Sequence, residues 1–112
     1  MAAVTLAIAY KEDKSMIDKC GHGYKLITGV VTFDGGTYAT NGTALDLSKQ
    51  LPTEVHMVIF DNAGGYIYQY DYTNKKVKVY YFDYNNANDA VAIELANGVA
   101  ISTTPRFVAI GK

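Results

Sequence analysis

Residues 54–84 read EVHMVIFDNAGGYIYQYDYTNKKVKVYYFDY, and this stretch decides the fold class. Its first part, residues 54–61, is dense in β-branched and aromatic side chains, which suit a pleated, half-buried surface. Asn62-Ala63-Gly64-Gly65 follows as a turn signal of hairpin type. In residues 66–72 a period of two puts Tyr66, Tyr68, Tyr70 and Tyr72 on one face and Ile67, Gln69 and Asp71 on the other. A second turn, Thr73-Asn74-Lys75, leads into residues 76–84. There Val77, Val79 and Tyr81 face one way, while Lys76, Lys78 and Tyr80 face the other. The pattern predicts a three-stranded meander with the tyrosine row of one strand across from the valine row of the next. Aromatic and β-branched side chains pair favourably across strands, so these tyrosines read mainly as packing residues.

Upstream, residues 4–10 alternate large with small side chains and read as a strand or as an extended arm reaching a neighbour. Residues 11–19 are charged and carry the first break, and Gly21-His22-Gly23 completes that loop. Residues 25–34 (KLITGVVTFD) form the next strand, in which Gly29 marks a bulge or a close backbone approach, and Gly35-Gly36 ends it. Residues 37–43 are a polar loop. In residues 44–51, which carry Leu45, Leu47 and Leu51, Asp46 is placed to cap one short helical turn that Pro52 closes.

Downstream, residues 85–90 are polar, residues 91–96 are short and ambiguous, and Asn97-Gly98 signals a hairpin with residues 99–101 returning. Residues 104–110 close the domain, with Pro105 near the strand start, where a missing donor is tolerated. Seven or eight short strands separated by turn signals predict an all-β, jelly-roll-like antiparallel β-sandwich with one short helix at most. The expected layout is a single domain: residues 1–24 as an N-terminal strand or arm and loop, and residues 25–112 as the sandwich.

A chain of 112 residues has the length of one domain and buries enough surface for a core without metal or disulfide staples. The single cysteine, Cys20, excludes an intramolecular disulfide, fits a reducing compartment and reads as a small packing residue. Net charge is −1 with acids and bases interspersed, so no basic stripe marks a nucleic-acid partner. No cationic amphipathic helix marks a membrane partner. The opening apolar run lacks a basic leader and is too short to span a bilayer, which reads as cytoplasmic synthesis. Ten tyrosines without a tryptophan are the anomaly, because tyrosine is also enriched at interfaces.

The chemistry-bearing residues do not assemble into a catalytic pattern. His22 sits in a glycine loop and His56 inside a strand, without metal-ligand spacing. Asp34, Asp61, Asp71 and Asp83 fall at strand ends or within strands, where carboxylates tie down turns. The glycine pairs precede no helix, so they are not phosphate cradles, and Ser15, Ser48 and Ser102 lack a nucleophile-elbow context. The chain reads as non-enzymatic, with no catalytic, metal or cofactor-binding residue expected.

Several segments carry a resemblance. They are Gly29-Val-Val-Thr-Phe-Asp34, Gly64-Gly-Tyr-Ile-Tyr-Gln-Tyr-Asp-Tyr72 with Lys75-Lys-Val-Lys-Val79, Glu94-Leu-Ala-Asn-Gly98 and Arg106-Phe-Val-Ala-Ile-Gly111. Together they resemble the capsid decoration (cement) proteins of tailed bacteriophages, small virion structural proteins. Residues 1–24 depart from that pattern. The resemblance implies a jelly-roll or related β fold on the outer capsid surface, with the major capsid protein and further copies of itself, as a homodimer or homotrimer, for partners. It carries over no catalytic residues. A clamp across shell subunits needs rigid strands, aromatic anchors and an arm. The candidate contacts are therefore Val4, Leu6, Ile8, Tyr10, Tyr38, Tyr80 and Tyr84. Two other readings stay open: a carbohydrate-binding or host-recognition module using exposed tyrosines, and another virion part such as a head–tail connector or tail protein.

Overall fold

Apolar runs without alternation build one sheet, and alternating runs build the other. The computed structural model describes residues 2–10, 24–82 and 92–112. Cys20, His22, Asp83, Tyr84 and the loops read at 11–23 and 85–90 lie outside the described residues.

The first sheet contains β1 (Leu6–Tyr10), β2 (Lys25–Phe33), β4 (Val55–Phe60) and β8 (Arg106–Gly111), in the order β1-β2-β8-β4 with antiparallel pairing throughout. The second contains β3 (Thr43–Ala44), β5 (Ile67–Asp71), β6 (Lys76–Phe82) and β7 (Ala92–Glu94). Strand β6 is its centre, pairing with β5 on one edge and with both short strands on the other. The protein is an all-β antiparallel sandwich. From β2 to β5 successive strands alternate between the sheets, as successive jelly-roll strands do, and β5-β6-β7 then run on within one sheet.

The β5–β6 hairpin forms as its alternation predicts, with Tyr68 opposite Val79 and Tyr70 opposite Val77. Its turn is tied by Asp71, which accepts hydrogen bonds from the Thr73 and Asn74 amides and the Asn74 side chain. Lys75 takes a left-handed φ of 57° there, and its N–H closes onto the Asp71 carbonyl at 2.7 Å.

The expected three-stranded meander is not what forms. Strand β4 pairs with β8 in the first sheet, so residues 62–65 hand the chain from one sheet to the other. Gly64 and Gly65 adopt φ of 71° and 80° in a single 3-10 turn, which the Tyr68 hydroxyl pins by donating to the Ala63 carbonyl. The physical reason lies in β4 itself: VHMVIF is apolar on both faces, and such a strand gains more from a sheet apolar on both faces than from β5.

Asn97-Gly98 also turns the chain without making the expected hairpin. The Val99 N–H bonds the Ala96 carbonyl at 3.3 Å, but residues 99–101 pair with residues 36–38 through Tyr38 N–H to Val99 O and Ile101 N–H to Gly36 O. At residues 47–51 one hydrogen-bonded turn forms, with Leu51 N–H on Leu47 O and Asp46 accepting from the Ser48 amide. Leu45, Leu47 and Leu51 are all buried, so the segment lies across the sandwich as a strap.

Between the sheets, Ile27, Val31, Phe33 and Phe107 meet Tyr68, Tyr70, Val77 and Val79. Tyr68 packs against Phe33 and Phe60 of the opposite sheet, with centroids 5.6 and 6.0 Å apart. Each such buried side chain contributes about 1.5–3 kcal/mol. Gly29 is a close approach and not a bulge, since its register with both neighbours is continuous. A Cβ there would lie 2.6 Å from the Ala9 carbonyl oxygen and 2.9 Å from the Phe107 ring.

Candidate interaction surface

The outer face of the first sheet carries apolar side chains that the core of the sandwich does not use. Alternation sends Ile27, Val31, Phe33, Phe107 and Ala109 inward, which leaves Leu26, Val30, Val108 and Ile110 on the outside of the two central strands. Register then assembles rows across three strands. Met57, Ile110 and Leu26 form one row, and Ile59, Val108 and Thr28 form the next. Arg106, Val30 and Ala9 continue it towards β1. Met57 is 49% and Ile59 is 55% exposed, the most open large apolar side chains of the described residues. No described strand packs over this face. Exposed apolar side chains on a sheet face, here Met57 and Ile59 beside half-buried Leu26, Val108 and Ile110, make it a candidate docking surface.

The candidate contacts read from the sequence fall in different places. Val4 is 5% and Tyr38 1% exposed, so both side chains belong to the core of this chain. Leu6, Ile8 and Tyr10 are half-buried on the inner face of β1 and pack on the core margin. Tyr80 lies half-buried on the outer face of the second sheet, opposite Ile67 and Glu94. Tyr84 lies outside the described residues. The structure gathers the four residues from Val4 to Tyr10 along one sheet margin and brings neither Tyr38 nor Tyr80 to them. The outer rows were missed, although a signal existed: KLITGVVTF, VHMVIF and RFVAIG carry apolar residues at both parities.

Tyr38 has a structural task. Strand β3 pairs with residues 76 and 77 of β6, and β7 pairs with residues 80–82. In the gap the Tyr38 hydroxyl accepts the Val79 N–H at 3.2 Å and donates to Glu94 Oε2 at 2.6 Å, and the same carboxylate oxygen accepts the Asn41 amide at 2.8 Å. Burial, then the bond to Glu94, pushes the Tyr38 phenol well above its ordinary value.

The described aspartates fasten turns and loops. Asp34 accepts from the Thr5 hydroxyl and from the Thr5 and Gly36 amides, and these bonds hold its carboxyl below the usual range. Asp61 accepts from the Arg106 amide at 3.0 Å, locking the end of β4 to β8.

Two smaller surface features remain. At one end of the first sheet, His56 Nε2 lies 2.7 Å from Glu54 Oε1 and 3.0 Å from the Tyr24 hydroxyl, and the Lys112 ammonium sits 4.6 Å over the Tyr24 ring. Beside it, a cleft of about 220 Å³ is lined by Asp46, Ser48, Glu54, Tyr72 and Lys75 over a floor of leucines and Tyr70. Among the described residues, no group of three or more His, Cys, Asp or Glu side chains is placed to hold a metal ion. No family model, curated protein or solved structure matches this chain.

Proposed function

We propose that this protein is a capsid decoration protein of a tailed bacteriophage. It binds the outer surface of the assembled head and stabilises the shell lattice, with the major capsid protein as its partner. The observation that carries the reading is the apolar outer face of the first sheet. Met57, Ile59, Leu26, Val108 and Ile110 stand in register on hydrogen-bonded strands, so they are ordered before binding. A rigid apolar patch with an arginine, Arg106, at one end suits a protein partner better than a soluble metabolite. Binding to the assembled lattice and not to free subunits stabilises the shell by mass action. The segments from Gly64 to Val79 and from Arg106 to Gly111, whose sequences resemble those of cement proteins, support the same reading.

Mass analysis of purified virions tests it together with label localisation on the particle. The expected result is many copies spread over the whole shell. Absence from virions overturns the reading, and density at a single vertex replaces it with a connector or tail role.

The cleft beside Tyr72 favours a second reading, a carbohydrate-binding module. An exposed aromatic ring flanked by Asp46, Glu54 and Lys75 offers a stacking face with hydrogen-bonding groups around it. It predicts glycan binding that Tyr72→Ala abolishes, and a glycan array without hits removes it.

A further inference from the structure

Strand β8 lies inside the first sheet, between β2 and β4, and its outward side is charged at both ends and apolar between them. Alternation puts Arg106, Val108 and Ile110 on the outer face. The pairing continues one step past β8. There the Lys112 N–H bonds the Glu54 carbonyl at 2.8 Å, and the Lys112 carbonyl accepts from the Thr53 and Glu54 amides. Lys112 therefore has the parity of Ile110. Its ammonium lies 4.6 Å over the ring of Tyr24, which has the parity of Leu26 and stands 4.9 Å from the His56 ring. One outward line thus reads cation, valine, isoleucine, cation, and its charged ends are about 20 Å apart along the strand.

Two carboxylates stand near these cations, and each is engaged by another group. Asp61 accepts the Arg106 backbone N–H at 3.0 Å, and Glu54 lies 2.7 Å from His56 Nε2. Among the described residues no carboxylate forms an ion pair with the Arg106 guanidinium or with the Lys112 ammonium. A tyrosine ring attracts an ammonium but leaves its charge in place. Beside Arg106 a shallow depression of about 300 Å³, lined by Ile59, Asp61 and Val108, runs between β4 and β8. It offers an apolar side chain a seat next to the guanidinium.

We infer, building on the capsid reading, that this face recognises a strip of the shell surface with the matching pattern. That strip is apolar and flanked by two carboxylates about 20 Å apart, one meeting Arg106 and the other Lys112. The rows through Val108 and Ile110 supply the apolar contact, and the two cations fix where along the strip the chain sits. A guanidinium gives a carboxylate two parallel hydrogen bonds, whereas an ammonium acts as a point charge. Arg106 therefore sets orientation, and Lys112 adds attraction at the far end.

Co-sedimentation of the full chain with undecorated, expanded phage heads tests this, run at about 50 mM and about 500 mM salt. The natural chain is expected to bind roughly fivefold or more weakly at the higher salt, a readout that needs no substitution. At the lower salt Arg106→Gln and Lys112→Gln are each expected to lose about three- to tenfold in affinity, with unfolding transitions like that of the natural chain. At the higher salt the gap between the natural chain and the double variant should close to within about twofold, because screening removes the charge pairs and leaves the apolar contact. Saturable binding that is indifferent to salt, or that either substitution leaves unchanged, overturns the inference while the capsid reading stands. No binding by the natural chain overturns both.

Discussion

The Tyr38 hydroxyl closes a ladder that β3 and β7 are each too short to complete, so removing it leaves the Val79 N–H buried without a partner. Tyr38→Phe is expected to lower unfolding stability by about 1–3 kcal/mol, read from a shift in denaturant midpoint at unchanged slope. The same residue predicts an alkaline limit. Burial raises the phenols of Tyr38, Tyr68 and Tyr70 above the ordinary value of about 10. The folded state thus holds these protons more tightly than the unfolded chain does. Their contribution is full below about pH 10 and is lost as pH rises through the folded values. The denaturant midpoint should fall above that pH, and less steeply in Tyr38→Phe. Asp34, Asp46 and Asp71 have the opposite sign, since hydrogen bonds from Thr5, Ser48 and Asn74 hold them below the usual range. Their contribution is present above about pH 4 and is lost as pH falls through the lowered values. Little of the Tyr38 role was legible beforehand, because a tyrosine in the polar run TYATNGT shows nothing of a β6 edge some 40 residues away.

Among the elements, the strands with clean alternation were the legible ones. YIYQYDY and KVKVYYF fixed both the hairpin and its face, down to tyrosine opposite valine. Strand β4 was recognised as a strand but assigned to the wrong neighbour, because a glycine-rich turn looks the same whether it closes a hairpin or passes between sheets. Only the apolar residues on both faces of VHMVIF distinguished the cases. Residues 99–101 were misplaced for a related reason: Asn97-Gly98 specifies a turn, and the partner is set by where residues 36–38 already lie. Gly29 was legible only as a bulge or a close approach, and the continuous register decides for the close approach. Gly29→Ala drives a methyl group into the Ala9 carbonyl and the Phe107 ring and should cost about 1–3 kcal/mol, measured by thermal or chemical denaturation. A cost near zero would mean that β1 moves freely on β2.

For the whole molecule, the outer face of the first sheet carries apolar side chains that the core does not require, and Ile67 and Phe82 are also exposed in the second sheet. Hydrophobic pattern predicted the existence of the core and the all-β class. It did not point to the outer face of the first sheet, because the search for contacts followed the tyrosines and the N-terminal strand, while exposed Met57 and Ile59 belong to β4 and their half-buried row partners to β2 and β8. Met57 and Ile59 sit on the edge strand, pointing away from the core, so charges placed there should leave folding intact. The decisive measurement is co-sedimentation of the purified chain with undecorated, expanded phage heads, comparing the natural sequence with Met57→Asp/Ile59→Asp. The account predicts saturable binding for the natural chain and a loss of more than about tenfold in affinity for the double variant, with the same unfolding transition in both. Equal binding by the two proteins, or no binding by the natural chain, would contradict it.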